Sequence, residues 1–222
     1  MITVHHLERS RSQRVLWLLE ELGLEYELKV YKRDPKTLLA PAELRAVHPL
    51  GKSPVVVDGD RTIAESGAIL EYLIERHGGG RFVPAAGSPE RDRYSYWLHY
   101  AEGSLMPILL MKLIAERIRT SPAPFFVRPI TRSVGQRLAS TFVDPQVTRH
   151  LDFMESELAG RAWFAGAELT AADIQMSYPL EAASARGGLG TRANLSRFLD
   201  AVRARPAYQR ALARGGPVSL GV

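Results

Sequence analysis

Cysteine is absent from the 222 residues. That excludes disulfides, thiolate zinc sites, iron–sulfur ligation and a cysteine nucleophile. Thiol chemistry on this chain has to use a sulfur brought in by a ligand. Long apolar runs are also missing, and no stretch approaches the roughly 20 residues that a membrane span needs. The opening Met1-Ile2-Thr3-Val4-His5-His6 lacks the basic-then-apolar order of a secretory signal, so a cytoplasmic location is expected. There is no block of one charge sign: 29 Lys and Arg against 24 Asp and Glu leave a net charge of +5. The arginines are scattered, which argues against nucleic acid as a partner but leaves a positive surface that helps attract a small anion. What is present is ordinary for a folded chain, with 45% hydrophobic and 24% charged residues, and the length suits one large domain or two small ones.

The pattern changes near the middle. Residues 1–80 alternate between strand and helix signals. Ile2 to His6 reads as a short strand, and Val15, Leu16, Leu18, Leu19 and Leu22 recur at helical spacing up to a stop at Gly23. Tyr26 to Tyr31 reads as a second strand and Pro41 to Val47 as a short helical piece. Val55-Val56-Val57 and Thr62-Ile63-Ala64 flank the turn signal Asp58-Gly59-Asp60, and Ser66 to His77 is a helix ending in glycines. The first β-α-β unit is expected to be parallel and the later β-β pair a hairpin. Residues 81–88 read as a linker. From Pro89 to the end no strand is visible: 89–118 is a long helical pattern with a kink expected at Pro107, and Asp144-Pro145 interrupts a helical stretch from Pro122 to Leu158. Thr170-Ala171-Ala172-Asp173 has capping-box form, with Asp in place of the usual Glu or Gln. Asn194 to Arg203 and Pro206 to Ala213 are shorter helices. The organisation expected is an α/β domain over 1–80, a linker over 81–88 and an all-helical domain over 89–222.

Three places in the first domain carry possible chemistry. Arg9-Ser10-Arg11-Ser12 joins a strand end to a helix start, where unpaired N–H groups and a positive dipole suit an anion. On local sequence the plainer reading makes Ser10 or Ser12 an N-cap and Arg14 a solvated helix residue. Gly51-Lys52-Ser53-Pro54-Val55 offers an X-Pro bond at the start of a buried strand. If cis, it turns the Ser53 backbone toward a peptide-like ligand, with Lys52 as a point charge for a carboxylate; by base rate the bond is trans. Glu65-Ser66 opens the third helix, either as a plain cap or as a holder for a ligand's ammonium and carboxylate.

Taken in order, these segments resemble the glutathione S-transferases, especially the bacterial and fungal cytosolic, serine-type members. The resemblance rests on Ser10-Arg11-Ser12-Gln13-Arg14-Val15-Leu16-Trp17-Leu18-Leu19-Glu20-Glu21-Leu22, on Gly51-Lys52-Ser53-Pro54-Val55, on Glu65-Ser66-Gly67-Ala68-Ile69-Leu70 and on Leu169-Thr170-Ala171-Ala172-Asp173-Ile174. It implies an α/β thioredoxin-like domain followed by an all-α domain. It also implies glutathione as co-substrate, no metal, and a homodimer formed through the third and fourth helices. In the family's terms Pro54 is cis and the Ser53 backbone pairs with the cysteinyl part of glutathione. Glu65 and Ser66 take the γ-glutamyl end, Lys52 lies near the glycine carboxylate, and Ser10 faces the sulfur, with Ser12 or an arginine such as Arg11 as the alternative. No tyrosine precedes Tyr26, so a tyrosine-type site is not available, and Ser53 stands where many members have Val or Ile.

The activity implied is thiolate activation for attack on a small hydrophobic electrophile. The alternatives are glutathione-dependent peroxide reduction or dehalogenation, and a non-catalytic glutathione-binding regulatory module. A free thiol has a pKa of roughly 8.5, so a hydrogen bond and positive potential are needed to hold the thiolate at neutral pH. Tyr96, Tyr100, Met106 and Met111 are candidate walls for the electrophile, although such side chains at helical spacing are more often plain core, and His99 is a candidate cleft base, although the plainer reading is a satisfied structural histidine.

Overall fold

The computed structural model describes residues 1–37, 39–185 and 188–218. The first half is a four-stranded sheet in the order β2-β1-β3-β4. Strand β1 (Ile2–Leu7) pairs in parallel with β2 (Tyr26–Tyr31) across helix α1 (Gln13–Leu22), and antiparallel with β3 (Val55–Asp58). Helix α2 (Ala42–Val47) precedes β3, and β4 (Arg61–Ala64) returns from it through a two-residue turn in which Gly59 has φ 63°. That conformation suits glycine, which lacks a Cβ. Helix α3 (Ser66–His77) ends this half. The parallel crossover and the hairpin are those expected from the sequence.

Helix α1 is buried on all sides, including Gln13 and Arg14. One face covers the sheet, and the other is covered by α8 (Ala171–Ala185) and α10 (Pro206–Gly215), both from the helical half. The apolar core is accordingly continuous, running from Val4, Trp17 and Leu70 into Leu105, Ile174 and Phe198. The approach of α10 is close. A Cβ on Gly215 would lie 2.5 Å from Leu16 Cδ1 and 2.6 Å from Gln13 Oε1, so any larger residue there would have to displace those side-chain ends.

The helical half also contains α4 (Pro89–Tyr100), α5 (Met106–Thr120), α6 (Arg128–Leu138), α7 (Asp144–Glu157) and α9 (Ala193–Arg203). Ser88 caps α4 by accepting from the Arg91 N–H at 3.2 Å. The break expected at Pro107 is a π-helical turn over Ala101–Leu105, and a second π-helical turn over Ala139–Val143 precedes Pro145. A proline has no N–H to give to the preceding turn, and widening that turn is one way to continue the rod. The capping box opens α8. Fully buried Asp173 accepts from the Thr170 N–H and hydroxyl, each at 2.8 Å, and from the Phe164 N–H at 2.7 Å. Burial pushes its carboxyl up to about 6 against the pull of these donors. Among the described residues no helix is long and apolar enough to cross a membrane.

Candidate functional site

The sheet presents the end of β1 to the segment between α2 and β3. The Ser53–Pro54 peptide is cis. Two adjoining cavities, of about 300 and 210 Å³, meet at Arg11, Leu50, Lys52 and Ser53. The larger takes in Ser10, Arg33, Arg45 and Tyr178, and the smaller takes in Pro54, Glu65, Ser66 and Glu102. The structure thus gathers Ser10, Arg11, Lys52, Ser53, Pro54, Glu65 and Ser66 around one region. Their backbone is special at two points: Arg9 and Glu65 are non-glycine residues at φ 55° and 70°. Such residues cost on the order of 1–3 kcal/mol each and cluster at sites where geometry matters more than stability.

Ser66 is buried at the first turn of α3 and lines the smaller cavity. The first amides of a helix are donors without intrahelical partners at its positive end, so the Ser66 hydroxyl and the start of α3 together suit a carboxylate. The larger cavity is lined by Arg11, Arg33, Arg45 and Lys52 and by no carboxylate. The smaller one adds Glu65 and Glu102. The combination fits a zwitterionic, peptide-sized anion. Among the described residues no group of three or more His, Asp or Glu converges in a way that could hold a metal ion.

The loop before α1 holds a chain of polar side chains. Ser10 Oγ lies 2.7 Å from Ser12 Oγ, and Ser12 Oγ lies 2.7 Å from His6 Nδ1. On the far side of the ring, Nε2 lies 2.8 Å from the carbonyl oxygen of Gly215. Ser12 is the residue before α1, but its hydroxyl makes no cap bond. The cap reading of that serine is thereby corrected: its oxygen is spent on His6. Ser12 is fully buried and lines neither cavity, whereas Ser10 is 7% exposed and lines the larger one. Ser53 joins the cluster through its side chain. Its hydroxyl donates to the His5 carbonyl at 2.9 Å and accepts from the Leu7 N–H at 3.0 Å, continuing the β1–β3 ladder by one rung. The Ser10 hydroxyl is 3.4 Å from Ser53 Oγ.

Arg14 is buried rather than solvated. It pairs with Glu102 of the first π-helical turn and donates to the Gln175 carbonyl at 2.9 Å. Arg11 donates to the same Glu102 oxygen at 3.1 Å. Burial alone would raise the Glu102 carboxyl, but the two guanidiniums outweigh it and hold it below the usual range. Neither Glu102 nor His6 was found from the sequence. A His5-His6 doublet inside a buried strand was a signal for His6; nothing local marked Glu102.

The candidate electrophile walls sit on α4 and α5. Tyr100 is hydrogen-bonded to His150 and packs with Tyr96, Trp97 and Phe153 in an aromatic cluster. Tyr96, Tyr100, Met106, Met111 and His99 line neither of the two cavities. Helical spacing put them on one rod, but the side chain that reaches the larger cavity from the helical half is Tyr178 of α8.

Family models for the glutathione S-transferase N-terminal domain and C-terminal domain match residues 10–76 and 129–206. The chain is 38% identical to Glutathione S-transferase 3 of Schizosaccharomyces pombe over 93% of this chain and 85% of that protein. It is 36% identical to Glutathione S-transferase 1 of Saccharomyces cerevisiae over 84% of this chain and 82% of the relative. A glutathione S-transferase crystal structure from Actinobacillus pleuropneumoniae superposes with a TM-score of 0.82 at 34% identity, covering 100% of this chain and 97% of the other. With its α/β thioredoxin-like half, its all-helical half and these relatives, the chain belongs to the glutathione S-transferase family and is a glutathione transferase that uses glutathione as co-substrate.

Proposed function

We propose that glutathione lies across both cavities along the cis-proline edge of the sheet, with Ser10 activating its thiol. The Ser53 backbone pairs with the cysteinyl part, as a peptide strand added beside Pro54. Ser66 and the first amides of α3 hold the γ-glutamyl carboxylate, and Glu65 faces the ammonium group. Lys52 neutralises the glycine carboxylate, and Arg11 adds positive potential near the sulfur. The observation that carries the assignment is that Ser10 is the helix-start serine on the cavity wall. Lowering a thiol pKa by about two units corresponds to roughly 2.7 kcal/mol of preferential thiolate binding. The small hydrophobic electrophile then meets the thiolate in the larger cavity, between Leu7, Leu39, Leu50 and Tyr178. We also assign glutathione binding to residues 1–80, a linker to 81–88 and the helical domain to 89–222, in a cytoplasmic homodimer that pairs through α3 and α4.

The test is the thiolate absorbance of bound glutathione titrated against pH, with calorimetry to follow binding. Ser10→Ala is expected to raise the midpoint while glutathione still binds. An unchanged midpoint would take the role from Ser10, and no saturable heat with wild-type protein would remove the site.

A further inference from the structure

We propose that Ser10, Ser12 and His6 form a proton relay, in which His6 Nδ1 receives the proton that leaves the glutathione thiol. The proposal rests on the placement of the tripeptide sulfur at Ser10. Neither Ser12 nor His6 touches the ligand, so both are positioning residues that act through Ser10.

The direction of each hydrogen bond follows from the donor inventory. The Gly215 carbonyl only accepts, so His6 Nε2, 2.8 Å away, carries a hydrogen. The ring is 1% exposed, and burial lowers its pKa, opposed by the Gly215 carbonyl and the Glu8 carboxylate, the charged side chain that acts on it. In the neutral ring Nδ1 is then a bare acceptor, and the single proton of Ser12 is committed to it at 2.7 Å. The two serine oxygens, 2.7 Å apart, need a proton between them, so Ser10 directs its own to Ser12 rather than to its other acceptor, Ser53 Oγ at the longer 3.4 Å. Ser53 does not offer one either, because its hydroxyl proton is on the His5 carbonyl. Ser10 Oγ also accepts from the Ser12 N–H at 3.3 Å, so in this resting order it has no proton to give the sulfur and presents its remaining lone pair instead.

That arrangement accepts a thiol and, after one shift, donates to a thiolate. The S–H bond breaks and its proton joins Ser10 Oγ. The former Ser10 proton moves to Ser12 Oγ, and the former Ser12 proton forms the Nδ1–H bond. No electrons leave the system: a neutral thiol and a neutral imidazole become a thiolate and an imidazolium. The hydrogen bonds from the sulfur through Ser10 and Ser12 to Nδ1 have now reversed, Nε2 still donates to the Gly215 carbonyl, and Ser10 donates to the sulfur. The close approach of α10 at Gly215 brings that carbonyl to the ring. The carbonyl sets the tautomer from 209 positions away in the chain.

The test uses full-length protein with ¹⁵N-labelled histidine, observed by NMR with glutathione and with S-methylglutathione. Glutathione is expected to convert His6 from the Nε2–H neutral form to imidazolium, and S-methylglutathione, which has no thiol proton, is expected to leave it neutral. Calorimetry in buffers of different ionisation enthalpy is expected to show little proton release as the thiolate forms. Ser12→Ala and His6→Gln are each expected to raise the thiolate midpoint by one pH unit or more, with the glutathione Kd within about threefold of wild type. The relay is overturned if His6 stays neutral while thiolate absorbance is present, or if a full proton per thiolate enters the buffer. A raised midpoint in Ser10→Ala with unchanged midpoints in Ser12→Ala and His6→Gln would keep the Ser10 assignment and remove the relay alone.

Discussion

Glu102→Ala is the most informative single perturbation of the junction between the two halves. The Arg14 side chain is 1% exposed and that of Glu102 33%. Removing one partner of a buried pair leaves an uncompensated charge, which typically costs about 3–5 kcal/mol. Glu102 reaches solvent on one side, and Arg14 keeps its bond to the Gln175 carbonyl, so the low end applies, about 3 kcal/mol. For a chain of this size that corresponds to a fall in Tm of about 6–12 °C. The pH dependence has a definite sign. The folded carboxyl lies below its ordinary 4.5, so the pair's contribution is fully present above that value and is lost as pH falls through the lower folded pKa. Urea midpoints of wild type and variant at pH 7 and at acid pH should therefore converge on acidification. Replacing both partners together, as Arg14→Met with Glu102→Leu, should recover most of the loss, because no buried charge remains. A single-variant loss under about 1 kcal/mol at pH 7, or one independent of pH, would refute the account, since exposed pairs behave that way.

Other outcomes follow from the same geometry. Lys52→Ala should weaken glutathione binding about tenfold, roughly 1.4 kcal/mol, in a calorimetric titration, with the thiolate midpoint little changed. Asp173→Ala strands three buried donors at the start of α8 and should lower stability by about 3 kcal/mol in urea denaturation. The Asp173 carboxyl in the wild-type protein should titrate near a midpoint of about 6 by ¹³C NMR. Gly135→Ala places a Cβ 2.7 Å from the Ala115 carbonyl oxygen and 2.8 Å from the Arg119 nitrogen, so α5 and α6 must separate. The expected cost is about 1–3 kcal/mol in denaturant midpoint.

Most of the fold was readable along the chain because the signals are local. Strand alternation, helical spacing and glycine or proline stops bound nearly all the elements within a residue or two. The capping box at Thr170 was legible for the same reason, since its partners are three residues apart. Arg14 was misread because its surroundings are not local: helical position placed it toward solvent, whereas α8 and the first π-helical turn cover it. Tyr96, Tyr100 and Met106 share one rod with the right composition, but periodicity does not say which way the rod turns toward the sheet.

The candidate glutathione-binding residues were readable as three motifs in order, because Lys52-Ser53-Pro54 and Glu65-Ser66 are short runs whose chemistry depends on their immediate neighbours. Their convergence on one pair of cavities, the exposure of Ser10 but not Ser12 at the cavity wall, and the burial of Arg14 against Glu102 come only from packing. The proposed direction of the serine protons rests on packing in the same way. It depends on a glycine carbonyl at the far end of the chain meeting a histidine in the first strand, and hydrogen-bond polarity is a property of such a closed contact rather than of any stretch of residues.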